Sequence, residues 1–150
     1  MSVQIYGQFS DYHSFSGVSR AISRMVRQRR IEGQVYGISQ RTPTYIDTYL
    51  PIGLDSSAGI GLCVGYPETA PSWLNGHKER ILVTVCETDR IPGSWVGACN
   101  QMTLVVVPSQ WCKDAVEASG VRVPIKVVHH GVEFYGGDYI DKTFEAPVFL

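Results

Sequence analysis

Short apolar runs punctuate this chain, separated by stretches whose apolar residues recur at helical spacing. Residues 81–86 (ILVTVC), 104–107 (LVVV) and 125–128 (IKVV) are rich in β-branched side chains and show little apolar–polar alternation. Such runs predict strands of a parallel sheet covered on both faces, and the segments between them predict crossover helices. Pro92 opens the first of these helices, which carries Trp95, Val96 and Cys99, and Gly120 closes the second. Upstream, residues 3–9 (VQIYGQF), 34–39 and 60–64 (IGLCV) predict three further strands. After the first of them, Val18, Ala21, Ile22, Met25 and Val26 follow i, i+3, i+4, i+7, i+8 and predict a helix with one apolar stripe. Ser16 is placed to cap that helix, and Arg20, Arg24 and Arg27 fall on its opposite face. Arg29 and Arg30 sit in its last turn, where cations suit the helix dipole. Residues 40–55, interrupted by Pro43, Pro51 and Gly53, read as loop with some extended structure. Residues 68–80 read as a short helix around 72–74 followed by a turn with an exposed His77. The expected fold class is α/β, a Rossmann-like parallel sheet with helices on both faces.

Composition narrows the picture without redirecting it. A chain of 150 residues, 44% hydrophobic, suits one domain that buries about 70% of its unfolded surface. A formal net charge of -1 gives no general pull toward nucleic acid or an anionic membrane. No apolar run approaches the roughly 18 residues that span a bilayer, and the N-terminus lacks the basic and apolar regions of a secretory signal. The expectation is a cytoplasmic protein with no transmembrane segment. Cys63, Cys86, Cys99 and Cys112 show no Cys-x-x-Cys spacing and fall inside predicted elements, so they read as buried, reduced thiols.

Candidate chemistry lies in the loops after the strands, which line the ligand crevice of a parallel sheet. Gly17, between Ser16 and Ser19, follows a strand and a short polar loop at a helix start, an arrangement that turns backbone N–H groups toward an anion. The same position also suits a plain turn residue, and the pattern Gly-x-Gly-x-x-Gly is absent. His129 and His130 close the last strand; neighbours in an extended strand point to opposite faces, so one can line the crevice but the two cannot chelate one ion. No metal site is expected.

The segment from Glu87 to Glu133 carries a resemblance. Glu87-Thr88, Ile91-Pro92, Trp95-Val96, Asn100, Val107-Pro108-Ser109, Ser119-Gly120-Val121, Pro124-Ile125 and Gly131-Val132, in that order, resemble the first-domain signature of retaining glycosyltransferases of two-domain GT-B architecture, the family 4-like group. His129 stands where that family usually has proline, and Glu133 where it usually has aspartate. The resemblance implies transfer of a sugar from a nucleotide-sugar donor to an acceptor hydroxyl with retention of configuration, with no further cofactor. It implies that Ser16, Gly17 and Ser19 approach the donor diphosphate. Glu87, Thr88, Asp89, Ser109 and one of His129 or His130 are the candidates for the acceptor pocket. Glu87 equally suits a surface carboxylate at a helix N-terminus, and Ser109 an N-cap.

In that family a linker leads from here into a second Rossmann-like domain that holds most donor contacts. Residues 1–133 would then be the first domain, and residues 134–150 the linker and the start of the second, ending in the apolar run Ala146-Pro147-Val148-Phe149-Leu150. On this reading the chain is an incomplete, inactive half that needs a C-terminal domain in cis or in trans. Its apolar tail predicts self-association or docking back onto the first domain. A non-catalytic glycan- or partner-binding module and one half of a split enzyme are the alternatives.

Overall fold

A computed structural model describes the backbone of residues 2–9, 14–39, 42–49 and 59–131. Residues 132–150, and with them the expected linker, Val132 and Glu133, lie outside the described residues. The strands are β1 (Ser2–Gly7), β2 (Glu32–Ser39), β3 (Thr42–Tyr49), β4 (Ile60–Val64), β5 (Glu79–Val83), β6 (Leu104–Val107) and β7 (Ile125–Val127). The helices are α1 (Ser14–Gln28), α2 (Ala70–Trp73), α3 (Gly93–Cys99) and α4 (Gln110–Ala118), with a 3-10 turn at Pro67–Thr69 leading into α2.

All strands join one seven-stranded sheet in the order β3-β2-β1-β4-β5-β6-β7. Six run parallel, and β3 is added antiparallel at one edge, pairing Ser39 and Gly33 of β2 with Thr42 and Tyr49 of β3. The fold is α/β and Rossmann-like. Residues 42–49, within the stretch expected as loop with some extended structure, are the edge strand. Pro43 lies within this edge strand, where one side of the backbone needs no ladder donor. From β1 the chain first builds outward to β2 and β3, then crosses back to place β4 on the other side of β1. The topological switch therefore falls between β1 and β4, where a parallel sheet opens its crevice.

Helices cover both faces, but unevenly. One face carries Tyr6, Cys63, Leu82, Val105 and Val107 and is covered by α2, α3 and α4 through Leu74, Cys99, Ala115 and Val116. The other carries Val3, Ile5, Val35, Val64 and Val83, and α1 lies over it, touching β1, β2 and β4. Among the described residues no second helix follows α1 on that face. In β6 the consequence is visible directly: Val105 and Val107 are buried, while Leu104 and Val106 remain partly exposed.

Helix α1 also sits differently from its sequence pattern. It starts at Ser14, two positions before the expected cap, so Ser16 lies inside the first turn. Its buried residues are Phe15, Ser16, Ser19, Ser23 and Val26. Ala21 is exposed and Met25 is 52% exposed, so half of the apolar stripe faces away from the described core. The reason is a close approach. A Cβ on Gly7 would collide with the Ser19 hydroxyl, and a Cβ on Gly33 would stand 2.9 Å from the Val3 carbonyl and 3.6 Å from Val26. Small residues let the helix settle onto the sheet, and the serine face is the one that fits. The helix closes with Arg30 at φ 53, and Ile31 N–H donates to the Val26 carbonyl at 3.1 Å.

His77 is a second difference. It is not a free loop residue: it stands under the sheet, where its Nε2 lies 2.7 Å from Gln4 Oε1. Its Nδ1 lies 3.3 Å from the Leu74 carbonyl, so both ring nitrogens face carbonyl oxygens. Tyr6 donates to Gln4 Oε1 at 2.9 Å, and Gln4 donates to Gln34 Oε1, which also accepts from Tyr36. The ring edge meets Tyr6 at a centroid distance of 5.8 Å, and Gly61 leaves the space, since a Cβ there would be 2.7 Å from the imidazole. This network ties the turn after α2 to β1 and β2.

All four cysteines are buried and reduced, as their spacing suggested. Burial pushes the Cys63 and Cys86 thiols up to about 12 and Cys99 to about 11, and burial with the neighbouring Tyr36 and Cys63 raises Tyr6 to about 12. Folded-state values above the unfolded ones mean that the folded chain holds these protons longer. Their contribution to stability is full below about pH 9 and is lost as pH climbs through 11 to 12. Urea midpoints should therefore fall between pH 8.5 and about 10.5, and a thiol reagent at pH 8 should label these cysteines rapidly only after denaturation.

Candidate functional site

The C-terminal ends of the strands gather three structural features. The first is the start of α1, whose first-turn amides have no partner within the helix. Gly17 is exposed there, and a Cβ on it would meet nothing within 4 Å. Ser16 and Ser19, its neighbours in sequence, are fully buried, and among the described residues neither hydroxyl has a hydrogen-bond partner. Gln8 Oε1, just past β1, is buried and unpartnered as well. Three unsatisfied polar atoms thus cluster along the end of β1 and the first turns of α1, beside the topological switch. Only the backbone around Gly17 is open to a ligand; the two serine side chains point inward.

The second feature is a cleft of about 270 Å³ between α1 and the exposed part of the sheet. Gly17, Val18, Ala21, Ile22 and Met25 form one wall, Val83 and Val106 the floor, and Val128, His129, His130 and Gly131 the other wall. Both histidines border it. The strand ends at Val127, so the alternation that would have sent them to opposite faces no longer applies. They are exposed, and among the described residues no group of three or more His, Cys, Asp or Glu is arranged to hold a metal ion.

The third is an aromatic row that the sequence reading did not single out. The Phe15 ring meets Tyr66 edge-on at 5.2 Å, and Tyr66 leans on Trp95 at 5.7 Å. The row bridges the starts of α1 and α3 across the end of β4, and Tyr66 keeps 47% of its surface exposed. Its one sequence signal is position, directly after a strand in Gly65-Tyr66-Pro67.

The remaining candidates lie elsewhere. Glu87, Thr88 and Asp89 are exposed on the loop after β5, where the Thr88 hydroxyl donates to the Arg90 carbonyl at 2.6 Å. Ser109 is the N-cap of α4, accepting from the Cys112 N–H at 3.2 Å. None of the four lines the cleft. Several motif residues instead lock the fold. Asn100 donates to the Gly120 carbonyl at 3.3 Å and accepts from the Arg122 N–H at 2.7 Å. Ser119 accepts from the Ile91 N–H at 3.0 Å and donates to the Ala115 carbonyl at 2.7 Å.

Among the described residues no helix is long and apolar enough to cross a membrane. A buried hydroxyl without a partner costs about 1–3 kcal/mol. Ser19→Ala should therefore stabilise the chain by about 1 kcal/mol in urea unfolding; a loss of stability would mean that the hydroxyl is paired in solution. Compared with known proteins, the chain matches no family model and no curated sequence, so its likeness to the glycosyltransferases rests on the motif residues alone.

Proposed function

We propose that the chain is the acceptor-side half of a retaining glycosyltransferase, which moves a sugar from a nucleotide-sugar to an acceptor hydroxyl. Beyond the motif residues, one geometric observation carries this reading. The open backbone at Gly17 and the histidines at 129 and 130, far apart in sequence, border the same cleft. One side offers N–H groups at the positive end of a helix for a diphosphate. The other offers ring nitrogens that can hydrogen-bond an acceptor hydroxyl.

Retaining transfer of this type places the hydroxyl near the anomeric carbon and stabilises the departing diphosphate. The proton lost by the hydroxyl goes to the leaving phosphate, so no carboxylate base is needed. Among the described residues, the cleft lining holds none. On this reading His129 or His130 orients the acceptor, Gly17 lets the diphosphate approach, and a second domain in cis or in trans supplies most of the donor contacts. The alternative is a binding module for a glycan or a partner without catalysis.

The 150-residue chain by itself should bind a hydroxyl acceptor, with shifts in the imidazole resonances of His129 or His130, and should transfer no sugar. Turnover by the isolated chain would overturn the half-enzyme reading. Acceptor binding that persists when a matching second domain is supplied, still without turnover, would decide for the binding module.

Gly17 can be tested separately. A Cβ there meets no protein atom, and helix propensity changes by only about 0.4 kcal/mol between Gly and Val. Gly17→Val should leave the urea midpoint nearly unchanged while weakening binding of inorganic diphosphate at least tenfold. Equal binding by both forms would remove Gly17 from the site.

A further inference from the structure

We propose that Cys86 and Cys112 form a modification site, a dithiol that closes to an intramolecular disulfide when a hydroperoxide oxidises it. Cys86 lies three residues past β5, on the connection that carries Glu87, Thr88 and Asp89. Cys112 stands in the first turn of α4, with its N–H held by the Ser109 cap. Because β5 and β6 are adjacent parallel strands, the end of one meets the helix that follows the other. There the two cysteines exchange hydrogen bonds. Cys86 Sγ donates to the Cys112 carbonyl at 3.7 Å, and Cys112 Sγ donates to the Cys86 carbonyl at 3.4 Å. Contacts that cross in both directions hold the side chains next to each other, the placement that disulfide geometry requires. The two thiols also interact with each other directly. Among the described residues, Cys63 on β4 and Cys99 on α3 are fully buried and make no such exchange.

The step is a two-electron oxidation. One sulfur, as thiolate, attacks a peroxide oxygen, becomes a sulfenic acid and releases the first water. The second sulfur attacks the sulfenic sulfur, the S–S bond forms, and the hydroxyl leaves as a second water. Two thiols and one hydrogen peroxide thus give one disulfide and two waters. Both cysteines are buried, which excludes bulky thiol reagents, but hydrogen peroxide is little larger than water. Burial raises the Cys86 thiol to about 12, so the pair oxidises slowly at neutral pH and faster as pH rises. Once closed, the bridge ties the loop after β5 to the start of α4 and encloses α3 and β6 between its ends. The proposal does not depend on the glycosyltransferase reading, because neither cysteine lines the cleft.

The test treats the full chain, reduced and freed of reductant, with hydrogen peroxide at pH 8.5. Catalase stops the reaction, and iodoacetamide in urea caps the thiols that remain. The main product should be a monomer lighter by two hydrogens, with two of its four thiols capped. Digestion with trypsin and chymotrypsin separates Cys99 from Cys112 and should yield one linked pair, Cys86 with Cys112, which dithiothreitol opens. The bridged chain should melt about 5 °C above the reduced one, since the link constrains the unfolded state and leaves the folded one in place. In Cys112→Ser, peroxide should leave Cys86 as a sulfenic or sulfinic acid with no disulfide in the monomer; if that variant does not fold, the parent digest decides alone. Met25, 52% exposed, reports the dose through its sulfoxide. Four free thiols in a parent chain already oxidised at Met25 would overturn the proposal. So would a bridge to Cys63 or Cys99, a disulfide between two chains, or a bridged form that melts below the reduced one.

Discussion

The position of α1 depends on one tight contact, the Ser19 side chain against the backbone of Gly7. Because neither residue carries bulk, the helix settles close to β1 and turns its serine face inward. The other features of the site follow from that rotation. Gly17 faces outward at the strand ends, and Ala21 and Met25 face the uncovered part of the sheet. A conventional apolar stripe would have closed the groove; this one leaves a cleft of about 270 Å³. Two fully buried serine hydroxyls without partners among the described residues accompany this arrangement.

The two faces of the sheet divide the work. The face under α2, α3 and α4 holds the larger cluster, with Leu74, Leu82, Cys99, Val105 and Val116 almost wholly buried. Its loops are pinned by side-chain hydrogen bonds to backbone: Asn100 to the turn after α4, Ser119 to the approach to α3, Ser109 to the start of α4. Each joins segments that a sheet ladder cannot reach. The α1 face carries less covering structure and all of the cleft. Stability and access are thereby placed on opposite sides of one sheet.

This division bears on what the family-like motif means. Asn100, Ser109, Ser119 and Gly120 lie in places where loop geometry demands them, and Gly120 adopts φ 107, which suits glycine. The motif therefore speaks most directly about architecture. The cleft is bordered by Gly17, His129 and His130, which are separated in sequence by most of the described chain.

Read alone, the sequence determined the class of fold and the identity of most elements. Residues 60–64 and 104–107 are strands at their expected limits, and α3 starts beside Pro92, because buried parallel strands and helix starts are written in local composition. Gly17 and the histidine pair were legible as candidates for the same reason, being polar or flexible residues just past strand ends. What local pattern could not decide was rotation and partnership. The helical period of Val18 to Val26 is satisfied by either of two adjacent faces, and only contact with Gly7 and Gly33 chose the serine face. Residues 42–49 carry three threonines and a proline without clean alternation, and pairing with β2 made them a strand. His77 looked exposed because its acceptor, Gln4, lies 73 residues away. Contacts across such separations form when the sheet does, so they belong to the tertiary structure.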